Sequence, residues 1–148
     1  MQLSETQRTA ARLAGKADLQ DVRAMQLHAD LVSIPETNEL EFEVSVDSGY
    51  SEIGEDGRCV YSLRTAVKGR EGEHTRFDAN VVMAALYALP TDATNEELKA
   101  FGEVTAALAL YPYVRAAVQD LAARLGIPNV TLPVYQVPLA LEDGESPG

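Results

Sequence analysis

Residues 39–47, ELEFEVSVD, alternate without interruption: Leu40, Phe42, Val44 and Val46 stand on one side, and Glu39, Glu41, Glu43, Ser45 and Asp47 on the other. Successive side chains of a β-strand point to opposite faces, so this segment reads as a strand with one wet face and one covered face. That requirement reaches beyond the segment. Its backbone needs neighbouring strands, and its apolar side needs a second layer of structure to cover it.

The neighbours can be found by the same period. VRAMQLHADLVSI (22–34) places Met25, Leu27, Ala29 and Leu31 on one face and Gln26, His28 and Asp30 on the other. After a glycine-rich acidic loop, GYSEIGEDG (49–57), RCVYSLRTAVK aligns Cys59, Tyr61, Leu63, Thr65 and Val67. The turn GREGE leads into HTRFDANVVMAALYAL, which alternates through Phe77, Ala79, Val81 and Met83. Beyond Val82 this last segment is apolar on both sides. That pattern fits a covered strand or a helix, and we read it as strand. The last two strands are expected to pair as an antiparallel hairpin.

The covering layer must be helical. Ser4 and Gln7 have capping-box spacing ahead of Ala10, Leu13, Ala14 and Ala17, which predicts a helix over about 5–16. Thr94 and Glu97 form a second capping box, and a helix from Asn95 is expected to bury Leu98, Phe101, Thr105 and Leu108. Pro112 should kink that helix or stop and restart it. Val114, Ala117, Val118, Leu121 and Leu125 continue the stripe to a glycine cap at Gly126 and a stop at Pro128. The proline-bearing tail NVTLPVYQVPLALEDGESPG is expected to lie as an extended strip along another surface. Strands followed by helices make the fold class α+β: a four-stranded antiparallel sheet, a long kinked helix and a short N-terminal helix. One domain over 1–140 is expected, with 141–148 a disordered tail.

Chemistry is sparse in this sequence. A net charge of −11 repels phosphate backbones and anionic lipid, so nucleic acid and membrane are poor partners. Cys59 is the single cysteine, which excludes an intramolecular disulfide, and its strand position marks it as a small buried hydrophobe. His28 and His74 sit on different elements, outside any metal-ligand spacing. Glu39, Glu41 and Glu43 lie in a row, which describes a solvated strand face better than an acid–base or calcium site. GEDG and GREG match no phosphate-binding pattern. With neither a leader nor an apolar run long enough to span a bilayer, the expected location is the cytoplasm. No metal, no cofactor and no enzymatic activity are expected.

LALYPYVRAAVQDLAARLGIPNVTL (108–132) is the most distinctive stretch. Read locally, Tyr111 and Tyr113 around Pro112 are ordinary core aromatics at a helix junction. The stretch as a whole resembles the signature segment of the SecB family of chaperones, through Leu110, Tyr111, Pro112, Tyr113, Arg115, Asp120, Leu121, Gly126, Pro128 and Leu132. The similarity extends over 19–140, and the N-terminal helix is similar to that of SecB-like chaperones accompanying toxin–antitoxin pairs. It implies a homotetramer built from two dimers that holds non-native polypeptides in apolar grooves between sheet and helix, without ATP. On that reading the Tyr-Pro-Tyr kink sets the helix against the sheet and shapes the groove.

The residues expected to line such a groove are Leu31, Val32, Ile34, Leu40, Phe42, Val44, Val46, Tyr50, Ile53 and Tyr61, with Leu110, Tyr111 and Val114 from the helix. A dedicated partner, such as the antitoxin of a toxin–antitoxin system, is the alternative to general clients. Two departures from the family stand out. The second helix of the export chaperone has no counterpart before the sequence ends at LALEDGESPG. The patch that would face the SecA motor falls on Gln26, Asp30, Asp78 and Asn80, of which only two are acidic, which argues against delivery to SecA and leaves client holding untouched.

Overall fold

The computed structural model describes residues 4–133. The chain runs α1 (Glu5–Ala14), β1 (Asp18–Leu31), β2 (Glu41–Tyr50), β3 (Arg58–Glu71) and β4 (His74–Ala88), then α2 (Asn95–Phe101), a π-helical turn (Gly102–Ala106) and α3 (Ala107–Arg124). The four strands form one antiparallel sheet in the order β1-β4-β3-β2. The β1–β2 connection, residues 32–40, therefore crosses the end of the β3–β4 hairpin to carry the chain from one sheet edge to the other. The expected tail at 141–148, and the expected domain beyond 133, lie outside the described residues.

One face of the sheet carries the helices. Cys59, Tyr61, Leu63, Thr65 and Val67 on β3, and Phe77, Ala79, Val81, Met83, Ala85 and Tyr87 on β4, are buried beneath them. β4 stays a strand through Ala88, so the run apolar on both faces is a covered central strand. The other face bears charged rows in which Glu41 opposes Arg70, Glu43 opposes Lys68 and Asp47 opposes Arg64. Lys68 also opposes Asp78 on β4, so opposite charges face one another across three strands.

β1 corrects the simple alternation. A bulge between Ala24 and Gln26 inserts one residue, which leaves Leu27, Ala29 and Leu31 on the helix side opposite Val81, Ala79 and Phe77. Met25 leaves that row. It stands 68% exposed beside Val60, Ala84 and Leu86, around a small apolar hollow of about 200 Å³ on the far face.

α1 begins with the anticipated capping box, in which the Gln7 backbone N–H donates to Ser4 Oγ at 3.0 Å and the Ser4 N–H to Gln7 Oε1 at 2.9 Å. Thr94 and Glu97 do the same for α2. The irregularity of the long helical run, however, is upstream of Pro112, which sits inside α3 and exposed. Tyr61 packs against the wide turn. Its hydroxyl donates to the Leu98 carbonyl at 2.8 Å, and its ring lies so close to the helix that a Cβ on Gly102 would come within 2.9 Å of it. A π turn carries one residue more than an α-helical turn. The extra residue turns the apolar stripe by about 100°. Hence Leu98 and Phe101 are buried as expected, whereas Leu108 is 45% exposed and Ala106, Ala107 and Leu110 face the core instead of Thr105 and Leu108.

α3 ends in a glycine cap. The Ile127 N–H donates to the Ala122 carbonyl at 2.8 Å and the Gly126 N–H to Ala123 at 3.1 Å, with Gly126 at φ 80°. The strip that follows lies back along α3. Gln119 Nε2 donates to the Val130 carbonyl at 3.2 Å and the Tyr111 hydroxyl to Pro133 at 2.6 Å, with Ile127, Val130 and Leu132 buried.

Candidate functional site

Among the described residues, α3 packs chiefly over β4, with less contact to β3 and β1, and it is the π turn that packs on β2. The inward side of that edge strand is consequently only partly covered. Phe42 and Val44 are half-buried, Val46 is 36% exposed and Tyr50 is 40% exposed. Leu40 and the Phe42 ring lean across Gly69 of β3, where a Cβ would stand 3.0 Å from the ring and 3.3 Å from Leu40. The missing side chain lets both lie flat on the sheet. Tyr50 stacks on Tyr61 at a ring-centroid distance of 5.6 Å, extending the floor to the aromatic cluster of Tyr61, Tyr87 and Phe101.

Each end of this floor has an opening. At the hairpin end, Ile34, Pro35, Thr37, Asn38 and Leu40 of the crossover loop face Gly126, Ile127 and Pro128 across a cavity of about 230 Å³. At the other end, Ser48, Gly49 and Tyr50 face Lys99, Gly102 and Glu103 across about 310 Å³. From Leu40 to Tyr50 at strand rise the floor is roughly 30 Å long. Between the two cavities runs a half-exposed apolar strip, the trough, along which an extended segment would lie with side chains entering at both ends.

The sequence-derived candidates separate on this geometry. Leu40, Phe42, Val44, Val46, Tyr50 and Ile53 fall along the β2 edge or the loop after it, and Val32 and Ile34 stand exposed on the crossover loop. Leu31 is half-buried at the root of that loop, opposite Phe77. Tyr61, Leu110, Tyr111 and Val114 are corrected to core, each no more than 4% exposed, because β3 is central and α3 turns these side chains onto the sheet. Burial pushes the Tyr61 and Tyr111 phenols up. It does the same to the Cys59 thiol.

α3 runs through the Tyr-Pro-Tyr group without stopping and restarting. Tyr111 points inward and ties down the strip at Pro133, Tyr113 points outward at 50% exposure, and Pro112 lies on the exposed side between them. Arg115 is half-buried one turn beyond Tyr111, while Gly126 and Pro128 border the cavity at the hairpin end. Gln26, Asp30, Asp78 and Asn80 do share one face, the side away from the helices: Asp30 opposes Asp78 and His28 opposes Asn80.

The loop wall at Pro35, Thr37 and Asn38 escaped sequence reasoning, because periodicity carries no information where no element repeats. So did the residues that hold it. Glu71, within what reads as a plain turn, accepts the Glu36 N–H on both carboxylate oxygens at 3.1 Å and the Thr37 N–H at 2.8 Å. Arg76 Nε donates to the same carboxylate at 2.8 Å. These donors, the Glu36 amide first, hold the Glu71 carboxyl down at about 2. Among the described residues, no cluster of three or more His, Cys, Asp or Glu side chains could hold a metal ion, and no helix is long and apolar enough to cross a membrane.

Helices on one face of a four-stranded antiparallel sheet, with a half-exposed apolar edge strand, place the chain among small α+β folds. The family model described as preprotein translocase subunit SecB matches residues 21–136, and the chain belongs to the SecB family. It is similar to two SecB-like chaperones of Mycobacterium tuberculosis, MT2006 of strain CDC 1551 / Oshkosh and Rv1957 of strain ATCC 25618 / H37Rv. Each is 31% identical over 161 residues, covering 95% of this chain and 89% of the relative. In structure it resembles the Rv1957 chaperone solved in complex with a ChAD peptide from the Rv1956 HigA1 antitoxin, with a TM-score of 0.79, 27% identity, and coverage of 89% of this chain and 96% of the other.

Proposed function

We propose that this chain is a cytoplasmic holdase that binds non-native polypeptide segments in the trough along β2 without ATP and without catalysing a reaction. The observation that carries this reading is the half-covered inward face of β2. Alternating apolar side chains there lie half-exposed beside a helix that covers the centre of the sheet and stops short of its edge. Each Leu- or Phe-sized client side chain buried in it would contribute about 1.5–3 kcal/mol, so a few anchors suffice for useful affinity. The net charge of −11 keeps a loaded complex soluble.

The test dilutes a chemically unfolded, unrelated protein into buffer with and without this chain, lacking ATP, and follows light scattering. Suppression that is weakened severalfold by Phe42→Asp, in a variant shown to be folded, supports the reading. Absence of suppression by the folded wild-type protein contradicts general holding.

A second reading is favoured by the antitoxin peptide bound to the Rv1957 chaperone. On it, the trough serves one dedicated partner, the antitoxin of a toxin–antitoxin system. Tight binding of a single antitoxin segment, with generic clients left to aggregate, would select it. Assembly as a dimer of dimers is supported by β1, a fourteen-residue strand at a sheet edge that exposes Leu19, Met25 and Leu27. Equilibrium sedimentation at the mass of one chain would contradict it. A SecA contact, on this reading, would use the face bearing Gln26, Asp30, Asp78 and Asn80. Loss of SecA binding on Asp78→Lys would support that role, and no binding by the wild type would dismiss it.

A further inference from the structure

The crossover loop is an odd choice for a binding wall. It carries Val32 at 56% and Ile34 at 78% exposure, and a nine-residue connection with so little packing would ordinarily sample many conformations. Yet the hydrogen bonds that reach it from the β3–β4 hairpin are numerous and directional. The Arg76 carbonyl accepts the Val32 N–H at 2.8 Å, and Arg76 Nη1 donates to Ser33 Oγ at 2.8 Å. The consecutive N–H groups of Glu36 and Thr37 converge on the Glu71 carboxylate, which also takes the Arg76 guanidinium.

Successive backbone N–H groups pointing to one spot form an anion nest, and here the anion is supplied by the last residue of β3. Glu71 and Arg76 are only 17% and 14% exposed, so solvent screens the arrangement far less than a surface pair. Without the carboxylate, two amide dipoles and a guanidinium would be left facing one another with nothing between them.

We propose that Glu71 is the positioning residue of the trough: its carboxylate fixes the crossover loop on the hairpin so that Ile34 and Leu40 stand as a rigid wall facing Gly126–Pro128. This rests on the reading of the trough as the polypeptide-binding site. Glu71 itself touches no client and acts through Ile34 and Leu40. A wall fixed in advance loses little conformational entropy on binding, so the clamp converts a flexible loop into affinity.

The experiment is a double-mutant cycle on the full chain, reading the affinity of a fluorescently labelled unfolded polypeptide. Glu71→Ala is expected to weaken binding about tenfold, given the charge-assisted bonds it removes. Ile34→Ala should cost roughly threefold in the wild-type background and almost nothing more once Glu71 is gone, because the two act as a unit. Hydrogen exchange should speed up at the Glu36 and Thr37 amides while β4 stays protected. If Glu71→Ala does not fold, Glu71→Gln, which keeps the side-chain shape and one neutral acceptor, is read in its place with a smaller loss. Unchanged affinity, or losses that simply multiply, would overturn the proposal, since a residue that only stabilises the fold couples to no particular wall residue. Failure of the wild-type protein to bind the polypeptide at all is a different result: it removes the holding function, and this role with it.

Discussion

Gly102 and Tyr61 show how a single contact restricts what residue a position can hold. A methyl group at residue 102 would meet the Tyr61 ring at 2.8–2.9 Å, and that ring is fully packed and anchored by its hydroxyl to Leu98. Alanine is the better helix former, but overpacking against a fixed ring outweighs that preference. Gly102→Ala should therefore destabilise the protein by about 1–3 kcal/mol, read from a denaturant midpoint at unchanged slope. Glu71 carries the clearest pH signature. Its carboxyl is held at about 2 against an ordinary 4.5, so its contribution is complete above 4.5 and is lost as pH falls through 2. The stability gap between wild type and Glu71→Gln should be constant above about pH 5 and close between there and pH 2. A gap that persists at pH 2 would show that the carboxylate charge is not what holds the loop. None of this was legible in the sequence, because both features are contacts between distant residues: Tyr61 with Gly102, and Glu71 with the amides of Glu36 and Thr37.

At the level of elements, period and caps carried most of the information. The alternation at 39–47, 59–67 and 77–83 gave strands with the anticipated faces, and both capping boxes formed at Ser4 and Thr94. Period failed where a residue was inserted. The bulge at Met25 moved that side chain to the other face of β1, and the π turn moved the helical stripe from Leu108 to Leu110. Insertions of this kind are set by what packs on the element. Of the two outcomes expected at Pro112, the stop and restart does not occur: on the exposed side of α3, its missing N–H costs one intrahelical bond without forcing a break. Pro112→Ala restores that donor and should raise stability by about 1 kcal/mol or more, seen as a higher denaturant midpoint, with polypeptide binding unchanged. A large loss of binding would mean that the proline shapes the trough after all.

At the scale of the molecule, the central arrangement among the described residues is a sheet wider than its helical cover. The sequence marked the apolar row on β2 but could not show that α3 would lie over β4 and leave that row half-open, since the position of a layer depends on three-dimensional packing. The same limit mixed core with groove: Tyr61, Leu110, Tyr111 and Val114 belong to the same apolar patterns as Phe42 and Val46 and differ only in what lies above them. Neighbouring residues of β2 provide the most direct test, because Val46 faces the trough and Asp47 faces the opposite side of the sheet beside Arg64. A photo-crosslinking amino acid is placed at one position or the other and illuminated in the presence of an unfolded polypeptide. Strong capture from residue 46 and little from residue 47 is the predicted result, and equal capture, or capture chiefly from residue 47, would contradict a binding trough on the inward face of β2.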